Sequence, residues 1–560
     1  MEAGNLQIYW HESQPIYSLC FQKHTKAKKL ITAGGDNKIR VWNLNMNADG
    51  TRVETIDFLT SLNQHEQAIN AVRFNPAGDV LASAGDDGQL LLWTQSDSSN
   101  KDTSINTNIQ SLDAKNDGAN GNESWFIYKR LNSQTAMSSE IYDIAWSPDG
   151  NYIITGSMDN SLRVFDVNKS QQIILVNDNS HYVQGVTWDP QNKFVFVQSA
   201  DRSLSVYELI FDKNETNKLV NLKLKNKIWK CDLPKHTIDE ATKKEKLDFD
   251  STRSSYLFHN ETLPSFFRRL DISPCGNLIG VPAGVFRSAN AETNSTANNN
   301  NQELSNAVYI YSRGYLSKNS NKPILRIPFL KKPAIVVSFN PNLYKLVDPS
   351  NAPIKLQYKL IYAIATTNEV LIYDTESSKP IAVIGNLHYT PLTDLAWSED
   401  GNLLMVSSTD GFVSYVSTKN NILGEKLSKE ERETICKLDV IIPESGSKDA
   451  SLLKKEESKP IVNILTVKTK EVKPNEVNRK KLKTANLPNT DFSKNIQIPL
   501  FPINNRENDN KKTYYLKKRR GYNLYYYKVN TISICYLKKP LENQQISYNL
   551  FNHHNFLKRK

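Results

Sequence analysis

The sequence has few cysteines and no long apolar run, and each absence restricts the class of protein. Five cysteines are scattered through 560 residues without a Cys-x-x-Cys pair, which argues against a disulfide scaffold and a zinc site. No stretch approaches the roughly 18 consecutive apolar residues of a transmembrane helix, and the first residues lack the basic and apolar parts of a secretory signal. We therefore expect a protein of a reducing compartment, the cytosol or the nucleus.

Recognisable catalytic chemistry is also missing from the sequence. The nine histidines are scattered, with no metal-binding spacing, and no glycine-rich phosphate loop is found. Asp86-Asp87-Gly88 resembles a metal-binding carboxylate pair, but it occupies a turn that recurs along the chain. The sequence therefore predicts a protein that is not an enzyme and that has no cofactor or metal.

The positive charge is concentrated at one end of the chain. The net charge is +11, and residues 501–560 contain 13 Lys/Arg against three Asp/Glu, which is +10. The first 500 residues therefore carry 11 − 10 = +1. Basicity belongs to the tail, and the body of the protein is close to neutral.

An internal repeat fills most of the chain. Each unit begins with a strand that has apolar residues at positions i, i+3 and i+5, and most units continue to a turn ending in Asp and a strand ending in an aromatic residue. The seven first-strand sets are Ile16/Leu19/Phe21, Ile69/Val72/Phe74, Ile141/Ile144/Trp146, Val183/Val186/Trp188, Phe267/Leu270/Ile272, Ala334/Val337/Phe339 and Leu392/Leu395/Trp397. Asp and the aromatic residue are six positions apart in Asp36/Trp42, Asp87/Trp93, Asp159/Phe165 and Asp201/Tyr207.

Seven such units predict an all-β fold, a seven-bladed WD-repeat β-propeller over residues 5–420. The repeated Asp is expected to anchor each blade by accepting backbone N–H groups, and His65 and His181 are expected to bond within their blades. Leu6–Trp10 alternates in polarity and is expected to supply the outer strand of the last blade, which closes the ring.

Polar stretches interrupt or follow the repeats. Residues 95–123 and 288–306 are predicted to be disordered insertions, and Leu219–Leu224 an additional outer strand. Residues 421–560 are rich in Lys, Asn and Tyr, and we predict a mostly disordered basic tail.

The starts of the first strands are expected to line the rim of the central channel, where a non-catalytic propeller binds its partners. Phe266 and Phe267 precede Arg268 and Arg269, and this cationic pair beside aromatic residues suits an acidic partner segment. The alternative is that both arginines pair with acids of the blades, such as Asp271.

The segment SFFRRLDISPCGNLIGVPAG (265–284), with HYVQGVTWDP (181–190) and the stretch 387–416, resembles the family of the middle, WD-repeat subunit of chromatin assembly factor 1. The opening segment IYWHESQPIYSLCF (8–21) is similar to that family too. The resemblance covers roughly residues 5–420. The SFFRRLD segment also resembles HIR-type propellers of replication-independent histone deposition, and Asp201-Arg202-Ser203-Leu204 leans toward them, whereas VPAG and SSTDG favour the assembly factor.

The resemblance implies a nuclear, non-catalytic histone-chaperone subunit that helps to deposit histones H3 and H4 on newly replicated DNA. Its implied partners are the large subunit, the small histone-binding WD-repeat subunit, the histones and the anti-silencing histone chaperone. The family docks that chaperone through a basic and hydrophobic tail motif, which Arg479, Lys480, Lys481, Leu482 and Leu487 resemble loosely. A solvated charge run is the alternative.

The last sixty residues depart from the family. Lys517, Lys518, Arg519 and Arg520 lie among tyrosines, which suits nuclear import or contact with DNA phosphates. The competing interpretation is that this end is read-through of non-coding sequence.

Overall fold

The computed structural model describes residues 1–96, 123–131, 139–212, 218–239, 244–287, 304–348, 352–418 and 422–438, and three strands between 516 and 538. Most of the two insertions expected to be disordered, 95–123 and 288–306, lies outside the described residues. Within the described part of the chain, seven sheets form the blades of a propeller, six of them with four strands and one with seven, and a two-stranded ribbon forms a separate sheet. The predicted fold is confirmed.

The blades are numbered by the chain order of their first strands. Strand β1 (Glu2–Leu6) comes first in the sequence but belongs to blade seven. Blade one is β2 (Ile16–Phe21), β3 (Lys28–Gly34), β4 (Ile39–Met46) and β5 (Val53–Leu62). Blade two is β6 (Ile69–Phe74), β7 (Val80–Gly85), β8 (Leu90–Gln95) and β9 (Trp125–Leu131). Blade three is β10 (Ile141–Trp146), β11 (Tyr152–Ser157), β12 (Leu162–Asp166) and β13 (Gln171–Val176).

The remaining blades follow the same order, with the ribbon between blades four and five. Blade four is β14 (Val183–Trp188), β15 (Phe194–Ser199), β16 (Ser203–Phe211) and β17 (Leu219–Ile228), and the ribbon is β18 (Lys230–Asp239) and β19 (Lys244–Tyr256). Blade five is β20 (Asp271–Ile272), β21 (Leu278–Arg287), β22 (Leu304–Ser312) and β23 (Leu325–Leu330), with helix α1 (Arg313–Ser317) after β22. Blade six is β24 (Ala334–Tyr344), β25 (Lys359–Thr366), β26 (Glu369–Asp374) and β27 (Ala382–Gly385). Blade seven is β28 (Leu392–Trp397), β29 (Leu403–Ser408), β30 (Val413–Ser417) and β1.

The apolar positions of the first strands form the core between the blades. All 21 residues of the seven sets are buried except Trp146, which is half-buried. Each first strand packs against those of its neighbours, and the first strand of blade seven packs against that of blade one. Burial of these side chains supplies the main favourable free energy of the ring.

The ring is closed by the amino-terminal segment, as expected, but by different residues. Strand β1 pairs antiparallel with β30, from Glu2 opposite Ser417 to Leu6 opposite Val413. The chain then turns, and Trp10 is completely buried, with its ring centroid 4.8 Å from that of Trp42. Leu6 is therefore the last residue of the outer strand, and Trp10 is a core residue that follows it. The outer strand itself, β1, begins earlier in the sequence, at Glu2.

The turns between first and second strands are closed by hydrogen bonds that glycine N–H groups donate. The Gly78 N–H donates to the Asn75 carbonyl at 3.1 Å, and the Gly150 N–H donates to the Ser147 carbonyl at 3.0 Å. Gly78 has φ +78°, and a Cβ there would lie 2.5 Å from the Lys23 carbonyl oxygen. Only glycine satisfies both the left-handed backbone and the close approach.

Blade five departs from the regular pattern. Its first strand pairs with β21 over only two residues, Asp271 and Ile272. The preceding residues instead bond to the first strands of both neighbours: the Arg268 N–H donates to Gln184 and the Arg269 N–H donates to Ile335. This segment therefore links blades four and six across the inner wall of the channel.

The ordered part continues past the predicted propeller end at residue 420. Leu423 is buried, the Leu427 N–H donates to the Leu343 carbonyl at 2.8 Å, and helix α2 (Lys429–Leu438) follows. The Ser428 hydroxyl accepts the Glu431 N–H while the Glu431 carboxylate accepts the Ser428 N–H, which forms a capping box. The chain between 423 and 432 thus contacts blade six.

Further along the tail, strands β31 (Leu516–Arg519), β32 (Tyr522–Val529) and β33 (Ile532–Lys538) extend the sheet of blade six, with β33 paired to β27. The other residues beyond 438 lie outside the described residues. The predicted disorder of the tail therefore stays a prediction for them.

We expect Trp10→Ala to lower the free energy of unfolding by about 3–5 kcal/mol, because it opens a cavity where blades one and seven meet. Tyr9→Ala is the matched control: Tyr9 is 81% exposed, and its loss should change the stability by less than about 0.5 kcal/mol. Urea unfolding of the two variants measures the difference. Equal effects would contradict the assigned role of Trp10 in closing the ring.

Candidate protein-binding face around the central channel

The start of each first strand and the Asp-containing turn lie on the same face of the propeller. In blade two, for example, Ile69 pairs with Gly85, directly before Asp86 and Asp87. The loop that leads into each first strand lies on this face as well, and we call it the leading loop. The face is therefore built from leading loops and Asp turns around the channel.

The repeated aspartates anchor these loops, as predicted. Asp87 accepts the N–H groups of Gln89 in its own turn, at 3.0 Å, and of Glu66 in the leading loop, at 3.1 Å. Asp410 does the same for Phe412 and Tyr389. Each carboxylate therefore ties two loops of one blade together.

In blades one and two, a chain of hydrogen bonds extends the anchor into the blade. His65 lies between Asp87, 2.8 Å from Nδ1, and the Ser83 hydroxyl, 2.7 Å from Nε2, and the Trp93 indole N–H donates to Ser83 at 2.8 Å. The predicted bonding of His65 within its blade is confirmed. The equivalent chain in blade one is His11, Asp36, Thr32 and Trp42. In blade seven, His388 bonds Asp410 at 3.1 Å.

His181 does not follow the same pattern. Its side chain is exposed, and its ring contacts that of Tyr182 with centroids 6.2 Å apart. The Ser199 hydroxyl donates instead to the His181 backbone carbonyl, and Asp201 pairs with Lys227 at 2.9 Å. The prediction for His181 was wrong because another cation takes the carboxylate. His11 was not among the predicted residues, because it lies 25 residues before its Asp, whereas His65 lies 22 residues before Asp87.

Arg269 of blade five reaches across the channel to four other blades. One Nη atom lies 2.8 Å from the Asp394 carboxylate of blade seven and donates to the Tyr17 carbonyl of blade one at 2.9 Å. The other Nη donates to the Asn70 carbonyl of blade two at 2.5 Å, and Nε lies 3.9 Å from the Asp143 carboxylate of blade three. The residue is only 3% exposed.

Arg73 of blade two completes this central ion cluster, which consists of Arg73, Arg269, Asp143 and Asp394. Arg73 donates to Asp394 at 3.0 Å and to the Ser18 hydroxyl at 2.7 Å, and it lies 3.9 Å from Asp143. Two arginines therefore face two carboxylates, and the cluster is electrically balanced when all four are charged.

Burial and the arginines act in opposite directions on these carboxylates. Burial opposes ionisation of Asp394, but Arg269 and Arg73 outweigh it and hold the pKa of Asp394 below its ordinary value. At Asp143 burial dominates and raises the pKa, with the same arginines offsetting part of the effect. These charges join the blades. Arg269, Asp143 and Asp394 lie too deep to meet a macromolecular partner, whereas the Arg73 side chain is 27% exposed.

The four residues predicted for partner binding at the rim divide into buried and exposed. Arg268 is completely buried, and its guanidinium donates to the carbonyls of His259 at 2.7 Å and Asn260 at 2.5 Å. Burial lowers the pKa of this guanidinium to about 10. Phe267 is 3% exposed and Phe266 is 64% exposed.

The arginines therefore do not form the exposed cationic pair that an acidic segment would need. The alternative, pairing with blade acids, holds for Arg269, but the acids are Asp394 and Asp143 and not Asp271. Of the four residues, Phe266 keeps an accessible side chain, and its contact with a partner stays a prediction.

Aromatic side chains surround Phe266 at the top of the channel. We call Tyr17, Tyr142, Tyr182, Phe266 and Phe267 the channel mouth. Tyr142 has its ring centroid 6.4 Å from that of Phe266 and 6.0 Å from that of Tyr182, and Tyr17 lies 5.8 Å from Phe267. These five residues come from blades one, three, four and five.

The tail residues proposed for binding are only partly placed. The motif of Arg479, Lys480, Lys481, Leu482 and Leu487 lies outside the described residues, as does Arg520. Lys517, Lys518 and Arg519 are in β31, whose backbone alone is described. Their roles stay predictions.

The described residues give no indication of a metal site or of a membrane-spanning helix. There, no group of three or more His, Cys, Asp or Glu side chains could hold a metal ion. The described part of the chain also has no helix of the length and apolar character needed to cross a membrane.

The fold and its site define a WD-repeat propeller whose buried charges join the blades and whose loop face is left for binding. The CAF1B/HIR1 beta-propeller domain family matches residues 1–423, and the chain belongs to that family. It is 50% identical over 429 residues to a chromatin assembly factor 1 subunit of Saccharomyces cerevisiae, covering 74% of this chain and 86% of the relative.

More distant relatives are of two kinds. A chromatin assembly factor 1 subunit of Schizosaccharomyces pombe is 39% identical over 484 residues, covering 76% of this chain and 89% of the relative. Protein HIR1 of Yarrowia lipolytica is 25% identical over 499 residues, covering 82% of this chain and 41% of the relative.

We expect Arg269→Met to lower the free energy of unfolding by about 3–5 kcal/mol, because Asp394 is left buried without its main partner. Adding Asp394→Asn should recover part of this loss, so that the double variant is less destabilised than the sum of the two single variants. The surface pair of Lys331 and Glu369 supplies the control, and Lys331→Met should cost less than about 1 kcal/mol. Strict additivity in urea unfolding would contradict the central ion cluster.

Asp271 gives the propeller a pH-dependent stability. It accepts the N–H groups of Phe339 at 2.7 Å and Ile272 at 2.9 Å, and burial raises its pKa to about 7. The folded protein therefore holds a proton that the unfolded chain, with an Asp pKa of about 4, releases. The stability contribution is complete below pH ~4 and is lost as the pH rises to about 7.

Thermal unfolding of the native protein and of Asp271→Asn between pH 5 and 8 measures this effect. The native protein should lose about 2 kcal/mol relative to the variant between pH 5 and 7, and the difference should then level off. A difference that is constant with pH would contradict the raised pKa.

Proposed function

We propose that this chain is the non-catalytic scaffold subunit of a chromatin assembly factor 1 complex and helps to deposit histones H3 and H4 on newly replicated DNA. The observation that carries the proposal is the match of the whole propeller to named subunits of that assembly factor, at 50% identity over 429 residues in one case. A rigid propeller with anchored loops suits a protein that holds other subunits in position.

The proposed partners are the large subunit and the small histone-binding WD-repeat subunit of that complex, the H3–H4 histones and the anti-silencing histone chaperone. The chaperone would dock on the motif of Arg479, Lys480, Lys481, Leu482 and Leu487 by charge attraction and apolar contact. The proposed compartment is the nucleus, with DNA contacts restricted to the basic tail.

The alternative is an HIR-type subunit of replication-independent deposition, because the matched family includes both kinds of propeller. The degree of similarity favours the assembly factor. Three proteins named as chromatin assembly factor 1 subunits are 50%, 39% and 33% identical to this chain, whereas proteins named HIR1 are 24–25% identical.

Mass spectrometry of proteins co-purified with the tagged full chain from nuclei of dividing cells tests this proposal. We expect the large assembly-factor subunit and the small histone-binding propeller in amounts comparable to the tagged chain. Recovery of HIR-complex subunits in their place would move the protein to the alternative pathway.

The chaperone-docking motif is tested in the same purification. Lys480→Glu with Lys481→Glu should reduce recovery of the anti-silencing chaperone at least about tenfold and leave the other subunits bound, because it reverses the charge that an acidic partner meets. Lys511→Glu with Lys512→Glu makes the same charge change elsewhere in the tail and is the matched control. An equal loss with both variants would contradict a specific motif.

A further inference from the structure

The channel mouth combines aromatic rings with two carboxylates. Glu140 lies in the leading loop of blade three, and its carboxylate accepts the Tyr142 hydroxyl at 3.0 Å. Asp86 lies in the Asp turn of blade two, and its carboxylate accepts the Asn70 side-chain N–H at 2.6 Å. The same Asn70 amide donates to the Ile141 carbonyl at 3.0 Å, which places Asp86 beside the strand that carries Tyr142.

Neither of these two carboxylates has an ion pair among the described residues, in contrast to the anchoring acids of the Asp turns. Anchoring acids of five blades each lie within 4 Å of a basic side chain: Asp36 with His11 and Arg40, Asp87 with His65, Asp159 with Arg163, Asp201 with Lys227, and Asp410 with His388. Asp86 and Glu140 are half-buried and bonded only to neutral groups in the described contacts.

The pKa shifts of the surrounding groups also indicate that negative charge at the channel mouth is not fully neutralised. Burial raises the pKa of Asp86, and Glu140 and Asp87 raise it further. Burial also raises the pKa of the Tyr17 hydroxyl, and the Asp86 charge adds to that effect. A cation placed between Asp86 and Glu140 would offset the repulsion between the two carboxylates.

The two arginines that follow Phe266 and Phe267 cannot supply that charge. Arg269 lies beneath Phe267, with its guanidinium carbon 4.2 Å from the ring centroid, and is held by Asp394. Arg268 is completely buried and donates to backbone carbonyls. Both guanidiniums are fixed below the aromatic layer, so the acceptors above it are left for a ligand.

A buried acceptor lies next to the mouth as well. Gln184 is completely buried at the second position of its first strand, the position that Tyr17 and Tyr142 occupy in theirs. Its Nε2 donates to the Ser265 carbonyl, beside Phe266, at 2.8 Å, while its Oε1 accepts no hydrogen bond from the described residues. A buried oxygen without a donor is costly, and a ligand N–H would satisfy it.

We propose that the channel mouth binds the side chain of a lysine or arginine from a basic peptide segment of a partner protein. The aromatic faces of Phe266 and Tyr182 attract the cation, and Asp86 and Glu140 pair with it. Charge complementarity selects this occupant: an acidic segment would meet two carboxylates, and a purely apolar one would bury them unpaired. The inference holds whichever histone-deposition assembly contains the protein.

Fluorescence anisotropy with the full chain at physiological salt tests the proposal. The probe is a labelled 12-residue peptide of alternating lysine and glycine, compared with its arginine counterpart and with a form in which every lysine is acetylated. We expect the lysine or the arginine peptide to bind at least about tenfold more tightly than the acetylated peptide. Equal binding of all three peptides, or of none, would overturn the proposal.

Two variants of the channel mouth test whether the peptide binds there. Phe266→Ala and Glu140→Gln should each weaken binding of the cationic peptide about tenfold, because one removes an aromatic face and the other a charge. The matched controls are Tyr389→Ala, an aromatic residue 87% exposed on the leading loop of blade seven, and Glu54→Gln, an exposed acid on β5. Unchanged affinity in the first two variants, or the same loss in all four, would place the binding elsewhere and overturn the proposal.

A photoreactive phenylalanine derivative at position 266 identifies the occupant. Crosslinks to the lysine or arginine peptide support the proposal, and thermal unfolding of each variant establishes that the propeller is folded. Crosslinks from position 266 to residues 501–560 of the same chain, with the peptide excluded, would overturn it in favour of the chain's own basic tail.

Discussion

The propeller depends on one buried arginine that joins blades which are far apart in the sequence. Arg269 bonds to residues 252, 199 and 124 positions away, in blades one, two and seven. A propeller blade contacts mainly its two neighbours. A side chain in the central channel, such as that of Arg269, can in addition connect blades on opposite sides of the ring. The balanced charges of the central ion cluster make that connection without leaving a buried carboxylate unpaired.

Carboxylates on the first strands, which form the inner wall of the channel, also link neighbouring blades. Asp394 of blade seven accepts the Leu19 N–H of blade one, Asp143 of blade three accepts the Val186 N–H of blade four, and Asp271 of blade five accepts the Phe339 N–H of blade six. Each carboxylate therefore accepts a backbone N–H group from the first strand of the next blade. The result is a rigid inner wall on which the loops of the binding face are fixed, and that rigidity suits a scaffold subunit.

Local patterns predicted much of this structure, and long-range contacts account for the rest. Period-two alternation located the first strands, and the turn acid located the anchors, because both signals lie within a few residues. Ring closure was predicted from the alternation of Leu6, Ile8 and Trp10, but the same alternation also describes a strand end followed by a buried indole. Arg268 and Arg269 suggested an exposed pair, because the acceptors of Arg269 lie on other blades and those of Arg268 are backbone carbonyls, which no side-chain pattern reveals. His11 was not predicted because longer connections in blade one place it 25 residues before Asp36, whereas His65 lies 22 residues before Asp87.

We propose that a rigid inner wall holds the loop face in position for the partners in a chromatin-assembly complex. Hydrogen exchange of the full chain, alone and in its purified assembly, measures both the wall and the loops. We expect the inner-strand amides of Leu19, Val186 and Phe339 to be strongly protected in both states, and the amides of the leading loops to gain protection only in the assembly. Inner strands that exchange as fast as the loops in the free chain, or loops whose exchange assembly leaves unchanged, would contradict this proposal.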